Sequence, residues 1–318
     1  MDFRVLDAKA IKDLIGIGEV VTAVEDIFKA YGRGDVRMPS KIYLDVSGGD
    51  FRAMPASVPG LAGVKWVNVH VGNAALGIPT VMAMILINDP RTGQPLALLD
   101  GTWITQARTG AAAAVATKHL ARPDSETVGM IGCGGQSATM LRAIASVMKI
   151  EKLYLADKNH DHAEELARQF ADIGVHIVDT QLAAAADVVC TLTPSRAPIV
   201  MADWIEPGTH INAMGADAVG KEELDPEILR QASVFVDDWT QASHSGEINV
   251  PLKNGVIQSV AGSICDVLVG KIPGRTRVDE ITVFDSTGLA IQDMAVAKLV
   301  WDRAVERDAG VKLDFKTR

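Results

Sequence analysis

The sequence predicts an α/β protein in which a doubly wound parallel sheet is joined to a second, discontinuous α+β domain. Three observations predict it. The 318 residues are about twice the length of a typical single domain. From Thr127 onward short apolar strands alternate with helical stretches, the order that right-handed crossovers wind into a parallel sheet with helices on both faces. A glycine-rich turn, Gly132-Cys133-Gly134-Gly135-Gln136-Ser137, falls between the first of those strands and its helix.

Taken in order, apolar residues three and four apart (Val20, Val21, Val24, Ile27, Phe28) predict one helix from Asp7 to about Tyr31, ended by Gly32 and Gly34. Strand-like runs punctuated by Gly and Pro follow at Lys41 to Val46, Phe51 to Met54, Gly63 to Val69, Thr80 to Asn88 and Leu96 to Leu99. The stretch Asp89-Pro90-Arg91-Thr92-Gly93 reads as a hairpin turn, so an antiparallel sheet is expected there. An alanine-rich helix spans about Thr102 to Leu120. Beyond the change of texture come the strand Thr127 to Ile131, a helix from Gly135 to Met148, the strand Lys152 to Ala156 and a helix from Asp161 to Ile173. Further strands are expected at Val175 to Val178, Asp187 to Leu192, Thr209 to Asn212, Val234 to Val236 and Ile281 to Phe284. A last helix, about Gly288 to Val305, is long enough to carry the chain back. The expected division is therefore 1–120 with 302–318 for the first domain and 121–301 for the second.

Composition excludes several classes. Hydrophobic residues make up 48% and charged residues 22%, as in ordinary globular proteins and unlike collagens or coiled coils. Acids outnumber bases 40 to 31, a formal charge of -9, and no Lys/Arg cluster offers a footprint for phosphate backbones or anionic membranes. The longest apolar runs, Val81 to Ile87 and Ala111 to Ala116, fall far short of the roughly 20 residues that span a bilayer, and MDFRVLDAKA lacks a signal pattern. A cytoplasmic protein is expected. Cys133, Cys190 and Cys265 are too few and too scattered for a disulfide framework, and His160 and His162 sit two apart, where helical side chains do not face each other. No metal site is expected.

The glycine turn carries the first chemistry. Gly132 makes a tight turn and Gly134 lets the backbone approach a pyrophosphate held on the helix N-terminus, with Gly135, Gln136 and Ser137 completing the loop; Ser137 replaces the third glycine of the usual pattern. The next strand ends in Asp157, where an acid accepts hydrogen bonds from both ribose hydroxyls and repels a 2′-phosphate, favouring NAD over NADP. Two later strands end in Thr191-Leu192-Thr193-Pro194-Ser195 and Asn212-Ala213-Met214-Gly215-Ala216-Asp217, at the carboxyl edge where such sheets bind ligands. Thr193, Ser195, Met214 and Gly215 are expected to line the cofactor, although Asp217 alone reads equally as a solvated cap. In the first domain Lys65 interrupts the run Leu61-Ala62-Gly63-Val64-Lys65-Trp66-Val67, beside strand candidates bearing Arg52, Met54 and Lys41. Burial would lower its pKa and suit it to proton chemistry, whereas a strand lysine taken alone is more often solvent-facing.

Several segments occur in a telling order: Arg52-Ala53-Met54-Pro55-Ala56, Gly63-Val64-Lys65-Trp66-Val67-Asn68, Arg108-Thr109-Gly110-Ala111, the Gly132 loop, Gly208-Thr209-His210-Ile211-Asn212-Ala213 and Phe284-Asp285-Ser286-Thr287-Gly288-Leu289-Ala290-Ile291-Gln292-Asp293. Nearly end to end, the chain resembles the ornithine cyclodeaminase and mu-crystallin family, and within it the archaeal-type alanine dehydrogenases. The resemblance implies a homodimer whose first domain supplies the substrate pocket and the subunit contact, beside an NAD-binding Rossmann domain. By position it makes Lys65 and Asp217 the catalytic pair, Lys41 the holder of the substrate carboxylate, and Arg108 and Thr109 contacts of the cofactor pyrophosphate. It places Ser286, Gly288 and Leu289 near the nicotinamide.

One departure from the family pattern is informative. Where ornithine cyclodeaminases carry a Glu two residues before Met-Pro, to meet a distal amine, this chain has Arg52, whose planar guanidinium suits a carboxylate instead. Lys41 and Arg52, with Met54 beside them, are therefore expected to bind a small amino acid or 2-keto acid. The implied reaction is reversible, NAD-dependent deamination of L-alanine to pyruvate and ammonia. The alternatives are a cyclodeaminase-type lyase, a ketimine or pyrroline-2-carboxylate reductase, and a non-enzymatic, crystallin-like binding protein.

Overall fold

A computed structural model describes residues 2–314. In chain order the elements are β1 (Asp2–Leu6), α1 (Ala8–Leu14), α2 (Ile17–Arg33), β2 (Ile42–Val46), β3 (Gly49–Val58), β4 (Leu61–Val69), β5 (Val81–Asn88), β6 (Pro95–Asp100) and α3 (Gly101–Leu120). There follow β7 (Thr127–Ile131), α4 (Ser137–Ala145), β8 (Lys152–Ala156), α5 (His160–Arg168), β9 (Gly174–Ile177), α6 (Thr180–Ala184), β10 (Val188–Thr191), β11 (Arg196–Val200), β12 (His210–Ala213) and β13 (Glu222–Leu224). The chain continues through α7 (Pro226–Gln231), β14 (Ser233–Val236), α8 (Trp239–Ser245), α9 (Asn249–Lys253), β15 (Gly262–Ser263), α10 (Ile264–Leu268), β16 (Thr282–Asp285), α11 (Ala290–Glu306) and β17 (Val311–Asp314). The class is the expected mixed α/β one. Two compact units divide the chain, 1–108 with 289–318, and 109–288. These differ from the expected divisions near 120 and 301: one boundary falls inside α3, whose pattern shows no break there, and the other just before α11. Residues 315–318 of the expected returning segment lie outside the described residues.

The first unit is built on a seven-stranded sheet of order β17-β1-β6-β5-β4-β3-β2. It is antiparallel from β2 through β6, as the hairpin signals predict, while β1 joins β6 in parallel and β17 covers β1. Neither β1 nor β17 was predicted. The single helix expected over Asp7 to Tyr31 is two: Ile15 and Gly16 are extended, and the Gly16 amide donates to the Glu19 carboxylate at 2.9 Å to start the second. An N-terminal cap of this kind stabilises by about 1 kcal/mol, enough to fix a break where the apolar periodicity is indifferent to it. On β3 alternate residues Arg52, Met54, Ala56 and Val58 are buried. Lys65 stands opposite Met54 in the register of β3 with β4, so the lysine belongs to the buried face.

The second unit carries eight parallel strands in the order β15-β14-β16-β12-β10-β7-β8-β9. From β7 the chain winds outward to β8 and β9, then returns to the other side of β7 with β10. That reversal is the topological switch of a doubly wound sheet, and it lies between the loops that follow β7 and β10. The two strands with the plainest apolar patterns, β7 and β8, have the predicted bounds. Within this unit Gly110 of α3 packs directly on α4, where a Cβ would stand 2.7 Å from the Met140 Cα. The short pair β11 and β13 forms a separate sheet.

Candidate active site

In the second unit the glycine turn sits at the switch point. Gly132 has φ +98°, in the left-handed region, and a Cβ there would lie 2.7 Å from the Leu192 carbonyl oxygen, so the turn and the loop after β10 can approach only with glycine. Beside Gly134 and Gly135, in contrast, nothing stands within 4 Å of such a Cβ. The N-terminus of α4 has no side-chain cap; the Ser137 amide donates to the Gly134 carbonyl, and the rest of the first turn suits an anion. Asp157, half-buried at the end of β8, accepts from the Cys133 amide at 2.7 Å and the Asn159 amide at 2.8 Å. Each carboxylate oxygen has a second acceptor site for a ribose hydroxyl. The Gln136 Oε1 is shielded from solvent and has no hydrogen-bond partner among the described residues. Ser137 turns its hydroxyl to the Gly134 carbonyl at 2.6 Å. Open space above two glycines, an uncapped helix and a pinned acid fit a dinucleotide.

The remaining cofactor candidates of this unit are held by carboxylates that sequence reasoning missed. Glu223, fully buried, accepts from the Thr193 amide at 2.6 Å, the Gly215 amide at 2.9 Å and the Thr191 hydroxyl at 2.7 Å, which ties together the loops after β10 and β12. Asp237 accepts from the amides of Thr287 and Gly288 at 2.8 and 2.9 Å and from the Ser286 hydroxyl at 3.2 Å. Met214 donates its amide to the Thr191 carbonyl, and Ser195 turns its hydroxyl to the Ala197 carbonyl. Burial raises the carboxyls of Glu223 and Glu247, and lifts Asp285 to about 8. Asp217, half-buried beyond β12, pairs with Lys221 at 2.6 Å. Thr109 is buried in α3.

The first unit gathers the cations. Lys65 is 1% exposed, with its Nζ 2.7 Å from Asp293 Oδ2 and 3.5 Å from the Thr105 hydroxyl. Desolvation and the nearby Arg108 charge outweigh the attraction of Asp293, and Lys41 adds to them, so the Lys65 pKa falls to about 7. Arg108, expected with Thr109 at the pyrophosphate, has its Nε 3.1 Å from Asp293 Oδ1 and its Nη1 3.2 Å from Gln292 Oε1, beside the Lys65 ammonium. Leu289 precedes α11 and donates its amide to Gln292 Oε1 at 3.0 Å. Arg52 departs from the simple expectation. Its Nε and Nη2 lie 2.6 and 3.3 Å from the two Asp50 oxygens, so the two-pronged contact foreseen for a substrate is made with a neighbour in the same strand. An incoming anion would share that guanidinium with Asp50. Met54 is buried beside it and Lys41 is half-buried just ahead of β2. Lys65 and Asp217 belong to different units.

A dinucleotide turn at a switch point and a near-neutral buried lysine define the class: an NAD-dependent oxidoreductase. The model of the ornithine cyclodeaminase/mu-crystallin family matches residues 1–308, and the chain belongs to that family. An alanine dehydrogenase of Archaeoglobus fulgidus is 46% identical over 323 residues, covering 99% of either chain. Among solved structures, an archaeal alanine dehydrogenase dimer with bound NAD superposes with a TM-score of 0.97 at 46% identity, covering 99% of this chain and 100% of that one. The Δ1-pyrroline-2-carboxylate reductase of Thermococcus litoralis, in complex with NADH and L-proline, gives 0.94 at 36% identity, with 98% and 100% covered.

Proposed function

We propose that the chain converts L-alanine, water and NAD+ reversibly to pyruvate, ammonium, NADH and a proton. The observation that carries this reading is Lys65: a buried amine whose pKa of about 7 lets it give or take a proton at working pH, in a cluster of cations suited to a small carboxylate. The likeness to an alanine dehydrogenase at 46% identity over 99% of the chain supports the choice of amino acid.

Gly134, Gly135 and the α4 amides would hold the NAD pyrophosphate, Asp157 a ribose, and the loops bearing Thr193, Gly215 and Gly288 the remainder. Bound there, NAD would supply the hydride acceptor for the amino-acid Cα, and NADH the donor in the reverse direction. Lys41 and Arg52 bind the carboxylate, Arg52 while still engaged with Asp50, and so fix the Cα. Protonated at Nζ, Lys65 polarises the substrate oxygen in the reductive direction; neutral, it takes the proton from water in the oxidative one. Asp217 moves a second proton. The sign of the pH dependence follows: reductive kcat/KM falls above about pH 7, and oxidative kcat/KM rises through the same value. A homodimer fits the exposed apolar side chains Ile42, Leu44, Trp66, Met84 and Leu86 along β2, β4 and β5 of the first unit, since apolar side chains grouped on one sheet suit a subunit contact.

The test is a spectrophotometric assay for NADH with alanine, ornithine, proline and glycine, and for its consumption with pyruvate plus ammonium and with pyrroline-2-carboxylate. NADH formed from alanine and consumed with pyruvate supports the proposal. Turnover of ornithine without net NADH, or of pyrroline-2-carboxylate alone, replaces it.

A further inference from the structure

The first turn of α11 supplies a carboxylate that joins two cations from separate elements. Asp293 is completely buried, with Oδ2 2.7 Å from Lys65 Nζ of β4 and Oδ1 3.1 Å from Arg108 Nε of α3. Gln292 braces the arrangement, its Oε1 accepting from Arg108 Nη1 and from the Leu289 amide. We propose that Asp293 is a positioning residue for the reaction: one carboxylate fixes the direction of the Lys65 ammonium and its separation from Arg108, so that the proton at Nζ is aimed at the substrate. This rests on Lys65 being the acid–base group.

Lysine ends in a flexible stem with three rotatable donors, so burial alone does not aim its proton. Here the Asp293 carboxylate draws the ammonium into a close ion pair, and the Thr105 hydroxyl of α3, itself turned by its bond to the Gly101 carbonyl at 2.7 Å, lies 3.5 Å from Nζ. The charged groups acting on Nζ are Arg108 of α3, Asp293 of α11 and Lys41 from ahead of β2, while β3 contributes the uncharged Met54. Asp293 is the anion among these, and its attraction opposes the loss of the proton.

The experiment is the pH profile of kcat for reductive amination of pyruvate, with NADH and ammonium, in the wild type, D293N and D293E. D293N is expected to move the alkaline limb down by about one unit or more, with kcat at its optimum reduced at least tenfold and the Michaelis constant for NADH within twofold of wild type. D293E restores the charge but displaces it by one methylene, so the limb returns toward the wild-type position while kcat stays reduced. A D293N profile whose limb does not move overturns the proposal, as does a D293E enzyme with wild-type kcat. Should D293N not fold, D293E alone decides on the same criterion. K65A separates the two readings. Wild-type kcat in K65A removes the role of Lys65 and that of Asp293 with it; a collapsed kcat in K65A beside an unmoved limb in D293N removes only the role of Asp293.

Discussion

The two units bury charge in opposite ways. In the first, cations and acids meet directly: Lys65 and Arg108 on Asp293, Arg52 on Asp50. In the second, Glu223, Glu247, Asp237 and Asp285 are buried near one another, and backbone amides and hydroxyls donate to them. The difference teaches what each arrangement is for. Ion pairs in a dry site leave a charge poised for chemistry, because removing water makes its protonation sensitive to every neighbour. Carboxylates that collect amides from several loops fix backbone instead, and burial raises the pKa of Glu223, Glu247 and Asp285 so that they shed charge more readily.

The largest test of that contrast is Lys65→Ala. A turnover loss of roughly 10²–10⁴-fold is expected, the range for a lost acid–base group. Asp293 keeps Arg108 as its partner, so thermal unfolding should hardly change; a large fall in melting temperature with modest rate loss would make Lys65 structural. Asp237→Asn strikes the other kind of group. It leaves the Thr287 and Gly288 amides with a poorer acceptor, at a cost of about 1–3 kcal/mol, and kcat/KM for the amino acid should fall about tenfold as the loop loosens. An unchanged melting temperature would deny it the tethering role.

Smaller effects sharpen the comparison further. Asp285 has a folded pKa raised to about 8, so between the ordinary carboxylate range and pH 8 the folded state binds the extra proton, and stability is lost as pH rises through that window. Asp285→Asn should flatten the fall of melting temperature between pH 6 and about 9 with little effect on turnover; parallel curves for both proteins would refute it. The smallest change is expected for Asp50→Asn. It releases Arg52 to the substrate and should lower the Michaelis constant for pyruvate a few-fold, as a charge-assisted contact strengthens by about 1 kcal/mol. A raised constant would show instead that Asp50 holds Arg52 in its binding orientation.

The sequence shows the doubly wound sheet plainly because β7 and β8 are buried on both faces and bounded by turns, so composition alone marks them. It conceals β17, whose four residues are exposed and pair with a segment some 300 positions away, and it conceals the break at Gly16, where helical periodicity continues across two helices. Of the site, the glycine turn and Asp157 follow from local pattern. Asp293 is legible from spacing: it stands three and four residues from the buried Ala290, Val296 and Ala297, so helix geometry places a charge on an apolar face. The Asp50 and Arg52 pair is legible too, since residues two apart on a strand share a face. Glu223 and Asp237 carry no such mark. Each lies beside another acid, and which of the two is buried depends on loops up to 50 residues away.

The central claim, that this fold removes hydride from an amino-acid Cα and leaves it on NAD, is met most directly with L-alanine deuterated at that carbon. Mass spectrometry of the nucleotide after reaction should find one deuterium in each NADH formed, matched by one pyruvate. NADH free of deuterium, or label retained in a product formed without net NADH, would contradict it.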